Sequence, residues 1–504
     1  MNPEDTLAKM SAMDTLSSLS ENEGIQRLAE LVDVAADCAS HPGLEHALEL
    51  AETLRPNCSL ASLAHLDYCV GNAWSALRHL RIREGADQWP WEQAEFEQEV
   101  ISLRRALLHS EEPGVPAGRR VQILTNLGNL MSTLGRTVEA IAYYDRVLIQ
   151  FPRFGMALGN RGQAFATYSE YDYDQGHRTM LLAQARDDFS KAIQDQNEPK
   201  AHAAFLARLE HIDELGLRES LHDFDLTSFS LGSEPEETRF RQWVLNERMF
   251  LNTLNDLGAY PVASNDFLHL PTIITSLRDR TIYHSCFNQL KQEFATARWL
   301  AYEAIQCSPV DAIANRGLRL LDARDGATYG LRLEKLRLSF RTAYALLDKI
   351  AVYLNAYWEL GLPAHKVTFR SVWFEKKKGQ ARQLNPKIPL NNLPLRGLYW
   401  LAKDFSEKGD EFINAIEPDA RDVASIRNHL EHKFLRITPV SESDWDFVTN
   451  ISEDFLEKRT LRLLRSGRAA LIYLVLAIHT HENIHFNSKT DKPVVSDQLG
   501  EIPE

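Results

Sequence analysis

The chain has 504 residues, 44% of them hydrophobic and 25% charged, which is the composition of an ordinary globular protein with more than one domain. Its net charge is −14, yet Leu331–Phe486 holds 24 Lys and Arg against 19 Asp and Glu, whereas the remainder holds 32 against 51. The five cysteines show no CxxC spacing, the first residues show no secretory signal, and no apolar run is long enough to cross a bilayer. These features argue against a disulfide scaffold and a membrane protein, and we expect a cytoplasmic protein.

Helical hairpins are predicted from residue 25 to residue 218, after a flexible N-terminus of residues 1–24. From Leu127-Gly128 onwards, small and large residues, among them Gly135, Ala140 and Tyr144, follow the spacing of a tetratricopeptide repeat, and Gly162 lies 34 residues after Gly128. Small residues allow the two helices of a hairpin to approach, and large ones fill the gap between them. Four or five hairpins are expected, and the concave face of such a solenoid predicts a protein or peptide partner.

One insertion interrupts this pattern. The stretch TYSEYDYDQGHRTM, which includes Tyr168, Tyr171, Tyr173 and His177, is predicted to delay the second helix of its hairpin. It is interpreted either as a contact surface for a partner or as a surface loop that the fold tolerates.

The second half of the chain is also predicted to be helical, so the fold class is all-α: a tetratricopeptide-like solenoid followed by a helical bundle. Residues 219–330 form the predicted connecting region, with helices at Phe240–Leu257 and Ile282–Gln306. The bundle is predicted over 331–486, and a flexible tail over 487–504. Within the bundle, the predicted helices include Leu331–Leu360, Asp419–Arg436 and Phe455–His481.

The stretch Arg427-Asn428-His429-Leu430-Glu431-His432 carries the chemistry of interest. On a helix, Val423, Ile426, Leu430 and Phe434 form an apolar stripe, while the opposite face holds Arg421, Ser425, Asn428, His432 and Arg436. An exposed imidazole can move protons near neutral pH, and guanidinium groups bind phosphate and stabilise charge on it. This face therefore indicates a site for cleaving phosphodiesters.

Arg427 and His432, separated by four residues with polar Asn428 after the arginine, resemble the motif of the HEPN domains. The flanking segments AYALLDKIAVYLNAYWELG, NNLPLRGLYWLAKDF and RTLRLLRSGRAALIYLVLAI resemble, in order, the HEPN subgroup that follows tetratricopeptide-like repeats. The resemblance implies a homodimeric, metal-independent endoribonuclease that acts as a toxin or an anti-phage defence effector and needs no cofactor. It also implies that His432 is a general acid or base, that Arg427 stabilises the phosphate and that Asn428 positions one of them.

Other interpretations of the motif remain open. Arg427 and Glu431 are spaced as an ordinary surface ion pair, and the bundle would then be a non-catalytic adaptor that dimerises or binds RNA. Arg427 and His432 also lie about 140° apart on an ideal helix. The arginine must wrap around the helix, or the helix must be distorted, or the site must be composite across two subunits.

Further polar residues are candidates for roles around this site. Asp348 and Lys349, in the first bundle helix, are interpreted either as a buried ion pair or as a polar contact to the motif helix. Arg421, Lys433 and Arg436 are the predicted ligands of RNA phosphates, because cationic contacts dominate affinity for nucleic acid.

A metal site has to be considered at His481-Glu482-Asn483-Ile484-His485, which is formally an HExxH sequence. It would place two imidazoles one helical turn apart with a carboxylate between them. The chain runs into a polar tail directly afterwards, and no rigid third ligand is evident. We therefore predict no metal and regard a zinc peptidase as the lesser alternative.

Overall fold

The computed structural model describes residues 16, 19–85, 91–195, 199–273, 282–306, 313–321, 326–375, 383–405, 420–438 and 447–488, with the backbone alone at 420–422, 424 and 485–488. Fifteen α-helices and two small two-stranded sheets account for the regular structure of this part of the chain. The predicted all-α fold is confirmed. Within the described residues, no helix combines the length and the apolar character that a bilayer crossing requires.

The N-terminal half consists of helical hairpins, because helices that follow each other in the sequence pack on each other. The helices are α1 (Glu21–Asp37), α2 (His41–Leu54), α3 (Leu60–Arg83), α4 (Ala94–His109), α5 (Ala117–Thr133), α6 (Thr137–Gln150), α7 (Gly155–Tyr171), α8 (Gln175–Ala192) and α9 (Pro199–Glu214).

Glycines of these hairpins lie opposite large side chains, as the repeat spacing predicts. A Cβ atom on Gly128 would lie 2.4 Å from the Tyr144 ring, and one on Gly162 would lie 3.2 Å from the Phe189 ring. Only a residue without a side chain allows α5 to approach the Tyr144 ring this closely, and the contact at Gly162 is tight.

The insertion in the fourth hairpin is mostly helical, and Gly162 packs against Phe189, which follows the insertion. The stretch TYSEYDYDQGHRTM lengthens both α7 and α8, and only residues 172–174 interrupt the helices. Its polar side chains contact the connecting region of the same chain: the Tyr168 hydroxyl donates to Asp256 over 3.1 Å, and His177 contacts the hydroxyl of Thr253 at 2.9 Å. The insertion therefore forms an internal contact, rather than the exposed loop that was one of its two interpretations.

The C-terminal half contains the helices α10 (Pro235–Asn246), α11 (Ile282–Gln306), α12 (Leu331–Tyr357), α13 (Leu393–Lys403), α14 (Ala420–His432) and α15 (Glu453–Ser488), and the strands β1 (Phe374–Glu375), β2 (Gln383–Leu384), β3 (Phe434–Ile437) and β4 (Val448–Ile451). Helix α12 packs on α11, α14 and α15, and α13 packs on α15. Strands β1 and β2 are antiparallel, whereas β3 and β4 are parallel, with Phe434 opposite Val448.

The prediction of one helix from Asp419 to Arg436 is wrong at its C-terminal end. Helix α14 ends at His432, and the next residues enter β3, where they pair with β4. Phe434 consequently leaves the predicted apolar stripe and is 67% exposed. The helix predicted at Phe240–Leu257 also differs, since α10 ends at Asn246 and a short 3₁₀ turn follows at Thr253–Asp256.

A single hydrophobic core runs from Trp91 through the later hairpins and the bundle to Ile478, whereas α1–α3 have a core of their own. Buried polar contacts reinforce the junction between the halves. Arg104 of α4 donates to the carboxylate of Asp404, directly after α13, over 2.8 Å, and both side chains are buried. The two halves are thus joined by packing and by charge.

Candidate active site

The motif helix α14 is fixed to the bundle by its apolar face and by His429. Val423 and Ile426 are buried, and His429 is 8% exposed. The His429 Nδ1 atom lies 2.8 Å from the Ser425 carbonyl oxygen, so Nδ1–H donates there, and Nε2 lies 3.0 Å from the Thr449 hydroxyl. Because both ring nitrogens bind within the fold, His429 ties α14 to β4 and is structural.

Arg427 lies against α12. Its guanidinium carbon is 5.4 Å from the centre of the Tyr344 ring. Its charge also acts on the Asp348 carboxylate, which accepts the Phe369 N–H over 3.0 Å. Burial raises the pKa of Asp348, and the Phe369 N–H and the Arg427 charge offset part of that rise. The Tyr344 ring and the Asp348 charge together hold Arg427 on the side of α14 that packs on α12.

Glu431 binds α12 as well. Arg341 donates two hydrogen bonds to its carboxylate, over 3.0 and 3.2 Å. This hydrogen bonding, helped by the charges of Arg341, Arg427 and His432, lowers the pKa of Glu431. The alternative of a simple Arg427–Glu431 surface pair does not describe this arrangement, because the hydrogen-bonded partner of Glu431 is Arg341.

Helices α12 and α14 therefore each contribute one positive and one negative side chain to their contact. Along α12, Arg341 is positive and Asp348 is negative; along α14, Arg427 is positive and Glu431 is negative. The arrangement sets the rotation and the register of α14. Arg341 and Tyr344 were missed as site residues in the sequence, although their spacing from Asp348 by seven and four residues places all three on one helical face.

Asn428 and His432 form none of the hydrogen bonds described for this contact. Both are exposed, and His432 is the last residue of α14. Of the predicted phosphate ligands, Lys433 is exposed directly after the helix and Arg436 is half-buried on β3, whereas the side chain of Arg421 lies outside the described residues. One end of α14 thus carries an accessible imidazole beside two cations.

Asp348 and Lys349 do not form a pair with each other. Lys349 contacts Glu293 of α11, while Asp348 acts on Arg427. The structure places Asp348 at the motif helix and Lys349 on a different side of α12.

The HExxH stretch lies near the C-terminal end of α15. The Tyr357 hydroxyl contacts both Nδ1 of His481, at 3.0 Å, and the Glu482 carboxylate. The side chain of His485 lies outside the described residues. Among the side chains that the structure describes, no group of three or more His, Cys, Asp or Glu is arranged to hold a metal ion.

Comparison with protein families adds one finding to this geometry. Residues 274–481 match the LA2681-like HEPN family. This HEPN match includes α14 and its partner α12, and it supports a HEPN-domain protein. It also takes in α11, which packs on α12 and α15 although the sequence pattern placed it in the connecting region. The family match does not extend to the N-terminal hairpins, and neither a curated protein nor a solved structure matches the chain.

Proposed function

We propose that this protein is a metal-independent endoribonuclease whose catalytic residues are Arg427 and His432. One observation carries the proposal: within the matched HEPN region, an arginine held by Tyr344 and Asp348 precedes by five residues an exposed imidazole on the same helix. HEPN domains are commonly ribonucleases. The proposed role in the cell is that of a toxin or a defence effector, with the N-terminal hairpins as the sensing or docking part.

In the proposed reaction, the ribose 2′-hydroxyl attacks the adjacent phosphorus, and the bond to the 5′-oxygen of the next nucleotide breaks. His432 takes the proton from the 2′-hydroxyl or gives one to the leaving oxygen. Arg427 stabilises the extra negative charge on the five-coordinate phosphate. The products are a 2′,3′-cyclic phosphate and a 5′-hydroxyl. Asn428, exposed one residue after Arg427, orients the phosphate or the imidazole.

We further propose that the site is composite, formed by two copies of the chain. Arg427 lies against α12 of its own bundle, whereas His432 is exposed at the end of α14. Exposed Phe434 and Phe447 are joined by a backbone hydrogen bond just beyond His432, so apolar surface is available there for a second bundle. A two-fold arrangement brings the arginine of one copy to the imidazole of the other.

Incubating the purified full-length chain with total RNA, with and without EDTA, tests the proposal. The wild type is expected to cut RNA equally well in both conditions, and His432→Ala and Arg427→Ala to lower the rate at least about 100-fold. The matched control is His211→Ala, which removes an exposed imidazole from the last turn of α9. Loss of cleavage in EDTA, or equal rates for wild type and His432→Ala, contradicts the mechanism.

Mixing the two inactive variants tests the composite site. A mixed dimer has one site with both residues intact only if each site takes its arginine and its histidine from different chains. Equal mixing is then expected to restore about a quarter of the wild-type activity, since half of the dimers carry one active site of two. No recovery after verified subunit exchange places the whole site within one chain.

The adaptor remains the competing outcome. An adaptor binds RNA or dimerises without cutting, so induced wild type and His432→Ala affect cells alike. The ribonuclease predicts that induced wild type arrests growth and degrades RNA, and that the variant does neither.

A further inference from the structure

Asp404, directly after α13, forms a buried charge cluster with the N-terminal half. Arg104 donates to it over 2.8 and 3.2 Å, and an Arg136 nitrogen lies 2.7 Å from the same carboxylate. All three side chains are buried. Burial alone would raise the pKa of Asp404, but the two guanidinium groups hold it below its ordinary value. The carboxylate therefore remains charged and bound to α4 and to the residue before α6.

Residues of α13 itself also contact the N-terminal half. Its last residue, Lys403, forms an ion pair with Glu97 of α4. A Cβ atom on Gly397 would lie 2.2 Å from the Gly135 carbonyl oxygen, so the backbone of α13 touches the turn between α5 and α6. The N-terminal half consequently fixes the position at which the chain leaves α13.

Phe405, the next residue, reaches the supports of Arg427. Its ring lies 6.3 Å from that of Tyr344, edge to face, and 6.2 Å from that of Phe369. Tyr344 is the ring beneath Arg427, and the Phe369 N–H donates to Asp348. One residue after the charge cluster, a single ring therefore packs against Tyr344, which contacts Arg427, and against Phe369, which donates to Asp348.

We propose that Asp404 is a positioning residue for Arg427, through which Arg104 and Arg136 of the N-terminal half set the geometry of the motif helix. The contacts run from the two arginines to Asp404, from its neighbour Phe405 to Tyr344 and Phe369, and from these to Arg427 and Asp348. Displacement of α4 or of Arg136 is thereby transmitted to the supports of Arg427. The catalytic consequence rests on the proposed ribonuclease activity; the structural coupling does not.

The test compares three variants of the full-length chain. Asp404→Asn weakens the charge cluster, and Phe405→Leu removes the ring but keeps the cluster. The matched control, Asp256→Asn, weakens a different buried Arg–Asp pair, which joins α15 to the 3₁₀ turn at Thr253–Asp256. Among the contacts that the structure describes, neither member of this pair touches Tyr344 or Phe369. All three are measured by hydrogen exchange of the amides in 420–432 and by kcat and KM on RNA.

Exchange in 420–432 is expected to become between about 2-fold and about 30-fold faster in Asp404→Asn and in Phe405→Leu. Their kcat is expected to fall by a similar factor with KM unchanged, and Asp256→Asn is expected to change neither. Unchanged exchange in the first two variants, or equal acceleration in the control, overturns the proposal. If Asp404→Asn does not fold, the hydrogen exchange and the kcat of Phe405→Leu decide whether the proposal holds.

The exchange measurement also separates this inference from the proposed function. If the wild type does not cut RNA but exchange in 420–432 responds as expected, the ribonuclease is wrong and the coupling stands. If RNA is cut but the exchange does not respond, the coupling is wrong and the ribonuclease stands.

Discussion

At the scale of residues, the motif arginine depends on partners that the motif does not contain. Asp348 could be proposed from the sequence because it is a charge near the seam of a bundle helix. Arg341 and Tyr344 could not, since a tyrosine in the seam resembles core packing and an exposed arginine resembles solvated surface. Their role depends on the rotation of α14 against α12, which the spacing within either helix does not determine.

Arg341→Ala tests the value of this contact. Arg341 and Glu431 are 44% and 33% exposed, so the loss of unfolding free energy is expected to stay below about 1 kcal/mol. The kcat on RNA is expected to fall several-fold, because Glu431 no longer fixes the end of α14 next to His432.

The control for Arg341→Ala is Lys335→Ala, which removes another ion-paired cation of α12, one that binds Glu303 of α11. Stability by chemical denaturation and kcat are measured for both variants. Equal kcat values for the two would show that the Arg341–Glu431 pair does not support the site.

At the scale of elements, helices with strong apolar periodicity were predictable and the end of the motif helix was not. The bounds of α11 agree with the sequence pattern, as does the start of α12. Phe434–Ile437 continues the helical stripe of α14 in sequence but forms a strand, because it pairs with Val448–Ile451. That pairing joins segments 14 residues apart, so the periodicity within either segment could not reveal it.

Gly128→Ala tests the packing of the hairpins. The new methyl group would lie 2.4 Å from the Tyr144 ring, and the overpacking is expected to lower the free energy of unfolding by about 1–3 kcal/mol. Gly118→Ala is the control, because it lies in the same helix with no atom within 4 Å of its Cβ position and is expected to be neutral or stabilising by up to about 1 kcal/mol. Chemical denaturation measures both; equal stability of the two variants would contradict the close approach.

At the scale of the whole molecule, the sequence suggested separate modules, whereas one core and buried ion pairs join α4–α9, the connecting region and the bundle. His479 of α15 lies in this junction. Its ring stacks on Tyr173 at 3.9 Å, and its Nε2 atom lies 3.0 Å from the His269 carbonyl oxygen. Burial lowers the pKa of His479 to about 4, although the hydrogen bond to His269 opposes part of that shift.

This shift predicts a stability profile. Below pH 6.5 the unfolded chain protonates this histidine, whereas the folded chain does not until about pH 4. The unfolded state then binds more protons, so stability falls as pH decreases through this window. His479→Phe keeps a stacked ring and removes the titration. Its loss of stability between pH 7 and pH 4.5, measured by chemical denaturation, is expected to be smaller than that of the wild type. Parallel profiles would contradict the assignment.

The measurement that tests the ribonuclease most directly uses one oligonucleotide that the wild type cuts. A copy of it is made with a single 2′-deoxyribose at the cleavage position, and both are incubated in EDTA. We predict that the all-ribose strand yields a 2′,3′-cyclic phosphate and a 5′-hydroxyl, that the substituted strand stays intact at that position, and that His432→Ala cuts neither. Cleavage at the deoxyribose, or products with a 5′-phosphate, would contradict attack by the 2′-hydroxyl and with it the proposed roles of Arg427 and His432.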